Sequence, residues 1–258
     1  MPIFDLPLAQ LESLVLIFIR VMGVFLSAPI LSSPRIAAPI KLGLALLLAI
    51  ILQPIVATST VLPTEVLPYF LLVFKESLIG VTIGFVANMV FMAVQMAGEL
   101  ADIQAGYSFA AVVDPASGIN SSIIGQFQVM MAWMVFLAVD GHHILLNGLV
   151  DSFHVLPLGS IVFNPAIVHN VLGLSSQIFV IALQIGAPVI GAVLLGDLAL
   201  GLLSRTVPQM NLLVMGFPVK MALSLIILAA ALPLSLALER NLVYLMKGAV
   251  THVLALAH

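Results

Sequence analysis

The residues of this chain with chemistry to offer gather in three places. The first is Gly98-Glu99-Leu100-Ala101-Asp102-Ile103-Gln104-Ala105-Gly106, two carboxylates and an amide between glycines. On a helix Gly98, Asp102 and Gly106 share one face at i, i+4 and i+8, and Glu99 stands three residues before Asp102. A small, acidic stripe of this kind fits a solvated helix end, a proton-relay carboxylate pair, or a pore or interface surface kept thin by small residues. No basic or histidine partner lies nearby in sequence, which weighs against the relay. The second place is Asp140-Gly141-His142-His143. Adjacent histidines point about 100° apart on a helix, not along one face like the i, i+4 pair of a helical zinc site. His154 and His169 are too distant in sequence to complete a site. The reading is a turn at Gly141 with the histidines at a headgroup or subunit boundary, and no metal. The third is the run from Leu200 through Arg205, Pro208 and Asn211 to Gly216, Pro218 and Lys220. It reads as a helix stop, a tight polar turn and a restart, with Arg205 placed to satisfy the last carbonyls and a second polar break at Pro218 and Lys220. There is no nucleophile elbow, P-loop or dinucleotide fingerprint. The absence of cysteine removes thiolate nucleophiles, disulfides and Cys metal sites. A protein without catalytic residues or cofactors is expected; an intramembrane enzyme built on Asp140, His142 and His143 ranks last.

The elements that must position these residues are set by hydropathy. Apolar residues make up 62% of the 258-residue chain and charged ones 7%, against about 25% charged in ordinary soluble domains. Lipid or other protein must therefore surround much of the chain. The net charge of −3 and the lack of a basic cluster exclude a nucleic-acid partner. Six apolar stretches approach or exceed the roughly 20 residues that a spanning helix needs: Leu11 to Leu31, Ile40 to Ala57, Val66 to Ala97, Phe127 to Leu149, Val171 to Leu203 and Leu212 to Leu238. The expected fold is an all-α membrane protein of kinked helical hairpins, with a retained first helix and about six apolar helical segments that need not all span conventionally. Three features bear on that last point. Arg20, Lys75-Glu76, Asp197 and Lys220 interrupt greasy runs, each at about 2.5 to 3.5 kcal/mol if left at a bilayer centre. Pro188, Pro218 and Pro233, with several glycines, predict kinks or hinges in the last two stretches. Gly80-x3-Gly84, Ala187-x3-Gly191 and Ala192-x3-Gly196 are spacings that permit close helix contact. The positive-inside rule does not pick one side: Arg35, Lys41 and Arg205 fall on one face of a six-span chain, Arg240 and Lys247 on the other. Either a segment is re-entrant, or some apolar runs pack on protein and never cross lipid. A secondary transporter with broken helices and intramembrane carboxylates such as Asp197 is the alternative, although the two halves show no visible repeat.

In order and spacing, the chain resembles the FliR/SpaR/EscT family of type III secretion export-gate proteins. The resemblance rests on Arg20 to Pro29 (RVMGVFLSAP), Pro39 with Lys41-Leu42-Gly43, the Gly98-Glu99 to Gly106 stripe, Ser108-Phe109-Ala110 to Asp114-Pro115, Gly141-His142, Asp151-Ser152-Phe153-His154 with Leu156-Pro157, and the Arg205 to Lys220 hairpin. It implies a subunit of the flagellar export gate in the bacterial inner membrane, within the basal body, with part of the chain on the periplasmic side of the bilayer plane. The implied partners are FliP and FliQ in a hetero-oligomeric core, FlhB and FlhA in association, exported flagellar proteins, and membrane lipids. It also implies a FliP-like part over residues 1–165 and a FliQ-like hairpin over 166–258, joined in one structural unit. A plug would occupy about residues 106–121, with Gly106, Ser108, Phe109, Val112, Asp114 and Pro115 as pore candidates and Phe109 as the matching aromatic. Val112 departs from the pattern, since relatives can carry a second aromatic there, which implies a plug that seals less tightly or uses other residues.

Overall fold

The computed structural model describes residues 8–56, 65–107, 122–160, 165–206 and 212–255. All regular structure in them is helical: α1 (Leu8–Ser27), α2 (Ala38–Val56), α3 (Val66–Ala105), α4 (Ile123–Ala138), α5 (Gly141–Val155), α6 (Pro165–Thr206) and α7 (Leu212–Ala255). The six expected apolar stretches correspond to these helices. Five helices are long and apolar enough to cross a membrane, and the fourth stretch is the broken pair α4 and α5. The break falls at Asp140, whose left-handed backbone ends one helix before Gly141 opens the next.

Two features depart from a plain reading of the sequence. The second polar break expected at Pro218 and Lys220 does not interrupt the helix, and the prolines where kinks or hinges are expected lie inside continuous helices: α6 runs 42 residues through Pro188, and α7 runs 44 through Pro218 and Pro233. Each proline removes one donor from the ladder, but its fixed φ remains compatible with a helix whose neighbours hold it. Moreover, at 1.5 Å per residue α3, α6 and α7 are each about 60 to 66 Å long, roughly twice the ~30 Å hydrocarbon core of a bilayer.

The chain packs as two units, one of Met1–Met89, Asp140–Leu174 and Tyr244–His258, the other of Val90–Val139 and Ser175–Val243. In the first, α1 buries Leu16, Ile17, Val21, Val24 and Phe25 on the same face as Arg20. It crosses α3 where side chains are smallest. A Cβ on Gly80 would strike the Arg20 carbonyl, and one on Gly84 would strike the Ser27 hydroxyl. The Gly80-x3-Gly84 spacing is thus a contact face. Helix α2 lies against α1 and touches α5. Its buried positions are Lys41, Ala45, Ala49 and Leu52, while Leu42, Leu44, Leu46, Leu47, Ile50 and Ile51 point outward. With Ala45 and Ala49 at the contact and large apolar residues outside, α2 has the distribution of a helix surrounded by lipid or other helices rather than water.

In the second unit Ala101 of α3, Ile124 of α4, Val189 and Val193 of α6 and Leu228 of α7 form a common core, with Tyr107 and Ile227 packed against it. Phe91 and Phe136 meet edge to face at 5.5 Å. Gly191 meets nothing, whereas a Cβ on Gly196 would press on Leu223. Of the two later small-residue spacings, the one ending at Gly196 therefore faces a neighbour.

Candidate functional site

The first polar site is a charged node buried in apolar packing. Arg20 and Glu76 have no exposed surface. Nε of Arg20 donates to Oε2 of Glu76 at 2.5 Å. The other guanidinium nitrogens donate to the carbonyl and hydroxyl of Ser152 (3.0 and 3.3 Å) and to the carbonyl of Leu156 (3.0 Å). The ring of Phe153 lies 4.1 Å from the guanidinium carbon, a cation–π contact. Oε1 of Glu76 accepts from the Gly159 N–H at 3.2 Å. A planar guanidinium with donors on three sides suits this set of acceptors, and lysine would not reach them together. One ion pair thereby ties α1, α3, the end of α5 and the turn after it. Pro29 is buried in the turn closing α1, and Lys41 Nζ donates to the Ser33 carbonyl at 2.9 Å, fastening α2 to that turn.

The second site holds the acidic stripe. Helix α3 ends in a Schellman motif: Tyr107 N–H donates to the Asp102 carbonyl at 3.1 Å and Gly106 N–H to the Ile103 carbonyl at 3.3 Å, with Gly106 at φ +89. Both carboxylate oxygens of Asp102 accept from the Ile124 N–H, at 3.2 and 3.3 Å. The Ser122 hydroxyl caps the same helix by accepting from Gly125 N–H at 2.8 Å. A carboxylate at a helix N-terminus is favoured by the unpaired N–H groups there. Close approach of α3 and α4 depends on Gly98, since a Cβ there would strike the Gly125 backbone. Glu99 accepts from Gln95 at 2.8 Å, and Gln104 is half-buried. The α3 end also meets α7: Phe217 fills the space beside Gly106, and the Tyr107 hydroxyl donates to the Met221 carbonyl at 3.2 Å. Near that contact Lys220 Nζ lies 2.6 Å from Asp197 Oδ1, joining α7 to α6. The intramembrane carboxylate of the transporter alternative is thus occupied by a lysine.

Ser108, Phe109, Val112, Asp114, Pro115, Pro208 and Asn211 lie outside the described residues. Arg205 is exposed in the last turn of α6, where the carbonyls of Gly201 and Leu203 accept from Ser204 and Thr206. Gly216 is buried near Leu200, and Pro218 is exposed within α7. Gly141 is buried at the start of α5, with His142 half-buried. The left-handed residue at Asp140 gathers Asp140, His142 and His143 until their ligand atoms lie within 4.8 Å of one another, an approach that helical spacing would not produce. His143 and Asp140 pair at 3.4 Å on the surface. Sequence reasoning flagged Arg20 and Glu76 separately and missed their pairing, along with Tyr107, Ser122, Gly125 and Phe217. Ser122 before an apolar run was a readable cap signal; the others had none.

Residues 11–246 match the family described as bacterial export proteins, family 1. Over 244 residues, 93% of this chain and 94% of the relative, the sequence is 36% identical to the flagellar biosynthetic protein FliR of Bacillus subtilis (strain 168). It is 36% identical over 216 residues to FliR of Escherichia coli (strain K12), covering 84% of this chain and 82% of the relative. It is 30% identical over 231 residues, 88% of each chain, to the Yop proteins translocation protein T of Yersinia pestis.

Proposed function

The chain belongs to the bacterial export proteins of family 1, and on that premise we propose that it is a non-catalytic structural subunit of a flagellar type III protein export gate in the bacterial inner membrane. The observation that carries this reading is the outward-facing apolar surface on helices of about 60 to 66 Å, with Leu183, Leu194, Leu195, Leu198 and Leu202 exposed on α6 and Leu225, Ile226, Leu234 and Leu245 on α7. A bilayer core of ~30 Å covers only about half of such a helix. Partner subunits cover the rest, and the Arg20–Glu76 and Lys220–Asp197 pairs are satisfied within the chain, as charges away from water must be. The split in the positive-inside rule has the same origin: helices packed on protein above the bilayer do not obey a rule of insertion.

By its resemblance the chain assembles with FliP and FliQ as the channel core, with FlhB and FlhA associated, at the flagellar basal body. Residues 1–165 form the FliP-like part and 166–258 the FliQ-like hairpin, a boundary one residue inside α6. Residues 106–121 contribute a plug to the closed pore, with Phe109 as its aromatic. Energy for export comes from elsewhere in the apparatus. The test has two arms. Native mass spectrometry of the gently extracted protein should give a mixed assembly; a lone monomer counts against the scaffold role. Phe109→Ala, or deletion of 106–112, should make the assembled gate leaky to small ions, and unchanged permeability in correctly assembled gates would remove the plug role.

A further inference from the structure

We infer that Asp102 is a positioning residue that clamps together two stems, the exit of α3 and the entry of α4, and that Tyr107 and Phe217 tie this clamp to α7 beside Pro218. Asp102 is 1% exposed, and each of its polar groups serves a different stem. Its carbonyl accepts the Gly106 and Tyr107 N–H groups (3.0 and 3.1 Å), fixing the exit from α3. Its carboxylate accepts the Ile124 N–H, fixing the entry to α4. Ser122 satisfies the next donor, and among the described residues the Asp102 carboxylate bridges from α3 to that first turn. A buried carboxylate held by a neutral N–H stays in place because leaving it exposes both groups to apolar packing without partners. The clamp does not stand alone. Glycine at 106 leaves room for the Phe217 ring, and the Tyr107 hydroxyl bonds Met221. Those two α7 residues flank Pro218, where the helix lacks a donor, and Lys220, which is paired with Asp197 of α6. A shift of α7 at Pro218 therefore displaces the α3 exit directly, and Asp102 carries that displacement to the α4 entry.

The consequence for conduction rests on the export-gate reading; the clamp does not, and the experiment separates them. The chain has no cysteine, so paired cysteines carrying spin labels report single distances in the full chain in lipid nanodiscs. Ile103 and Ile123 are both exposed beside the clamp; Leu195 and Ile226, exposed on α6 and α7, serve as the control pair. The expected result is a narrow Ile103→Cys/Ile123→Cys distance that is lost in Asp102→Leu and retained in Asp102→Asn, whose amide oxygen can still accept from Ile124. The control distance should not move. An unchanged stem distance in Asp102→Leu, or equal broadening of both pairs, overturns the clamp. Tyr107→Phe, which deletes only the bond to Met221, should broaden the stem distance less than Asp102→Leu; if it broadens nothing, the link to α7 fails. Ion leak through the assembled gate is then measured for Asp102→Leu. Loosened stems with wild-type leak would leave the clamp standing and count against the plug role proposed for residues 106–121.

Discussion

Replacing Glu76 by leucine would leave the Arg20 guanidinium in a site from which water is excluded, with two carbonyls, one hydroxyl and one ring face but no countercharge. Breaking a buried pair by removing one member typically costs about 3 to 5 kcal/mol. Glu76→Leu also orphans the Gly159 N–H, at about 1 to 3 kcal/mol for an unsatisfied buried group. Arg20→Leu has the converse cost: an unpaired carboxylate and an orphaned Leu156 carbonyl. Summed, the singles should destabilise by roughly 8 to 16 kcal/mol. The double variant removes both charges and keeps only the orphaned backbone groups, so it should lose about 2 to 6 kcal/mol. The cycle thus has a large favourable coupling, of order 5 kcal/mol or more, where neighbours in contact commonly show about 0.5 to 3. The assay is thermal unfolding of the detergent-solubilised full chain, followed by helical circular dichroism and by protease resistance for variants too unstable to give a baseline. Glu76→Leu should be less stable than the double variant. Singles whose losses simply add in the double would refute the node as the tie between α1, α3 and α5.

Other substitutions distinguish the packing contacts. Gly80→Ala should destabilise by about 1 to 3 kcal/mol through overpacking, because its methyl meets the Arg20 carbonyl. Gly191→Ala, in open space on α6, should be neutral or stabilising by about 0.5 to 1 kcal/mol; thermal midpoints of the two variants check both. Asp197→Asn or Lys220→Met should change stability by less than about 1 kcal/mol, since the pair is part exposed, at 36 and 21%, and any loss should shrink as salt is raised. Gly106→Ala should cost about 1 to 2 kcal/mol for the left-handed backbone and more for contact with Phe217. Gly106→Asn should be less strained in backbone than Gly106→Ala, since Asn enters that region more readily, and hydrogen exchange at the end of α3 would read the difference.

Much of the fold was legible because it depends on local information. Hydropathy over about 20 residues located the helices, and the Asp140-Gly141 pair marked where the fourth stretch breaks. The polar break expected at Pro218 and Lys220 lies inside a continuous helix, because a proline stops a helix only when nothing else supports the backbone around it. Residue type and spacing also identified Gly80-x3-Gly84 as a close crossing, yet gave the same weight to Ala187-x3-Gly191, whose glycine meets nothing.

By itself, then, the sequence determined that this is an all-helical chain for an apolar environment, that its charges are too few to be incidental, and that glycines such as Gly80 and Gly84 fit places of close contact. The tertiary structure alone decided which charge answers which. Arg20 finds Glu76 at a separation of 56 residues and the Leu156 carbonyl at 136, and Asp102 finds Ile124 across 22. The reason is physical. With so many apolar faces, hydrophobic burial is nearly indifferent to which helix meets which. The choice falls to the terms that tolerate no substitute: backbone approaches that only glycine permits, and buried polar groups that must be satisfied at hydrogen-bond distance.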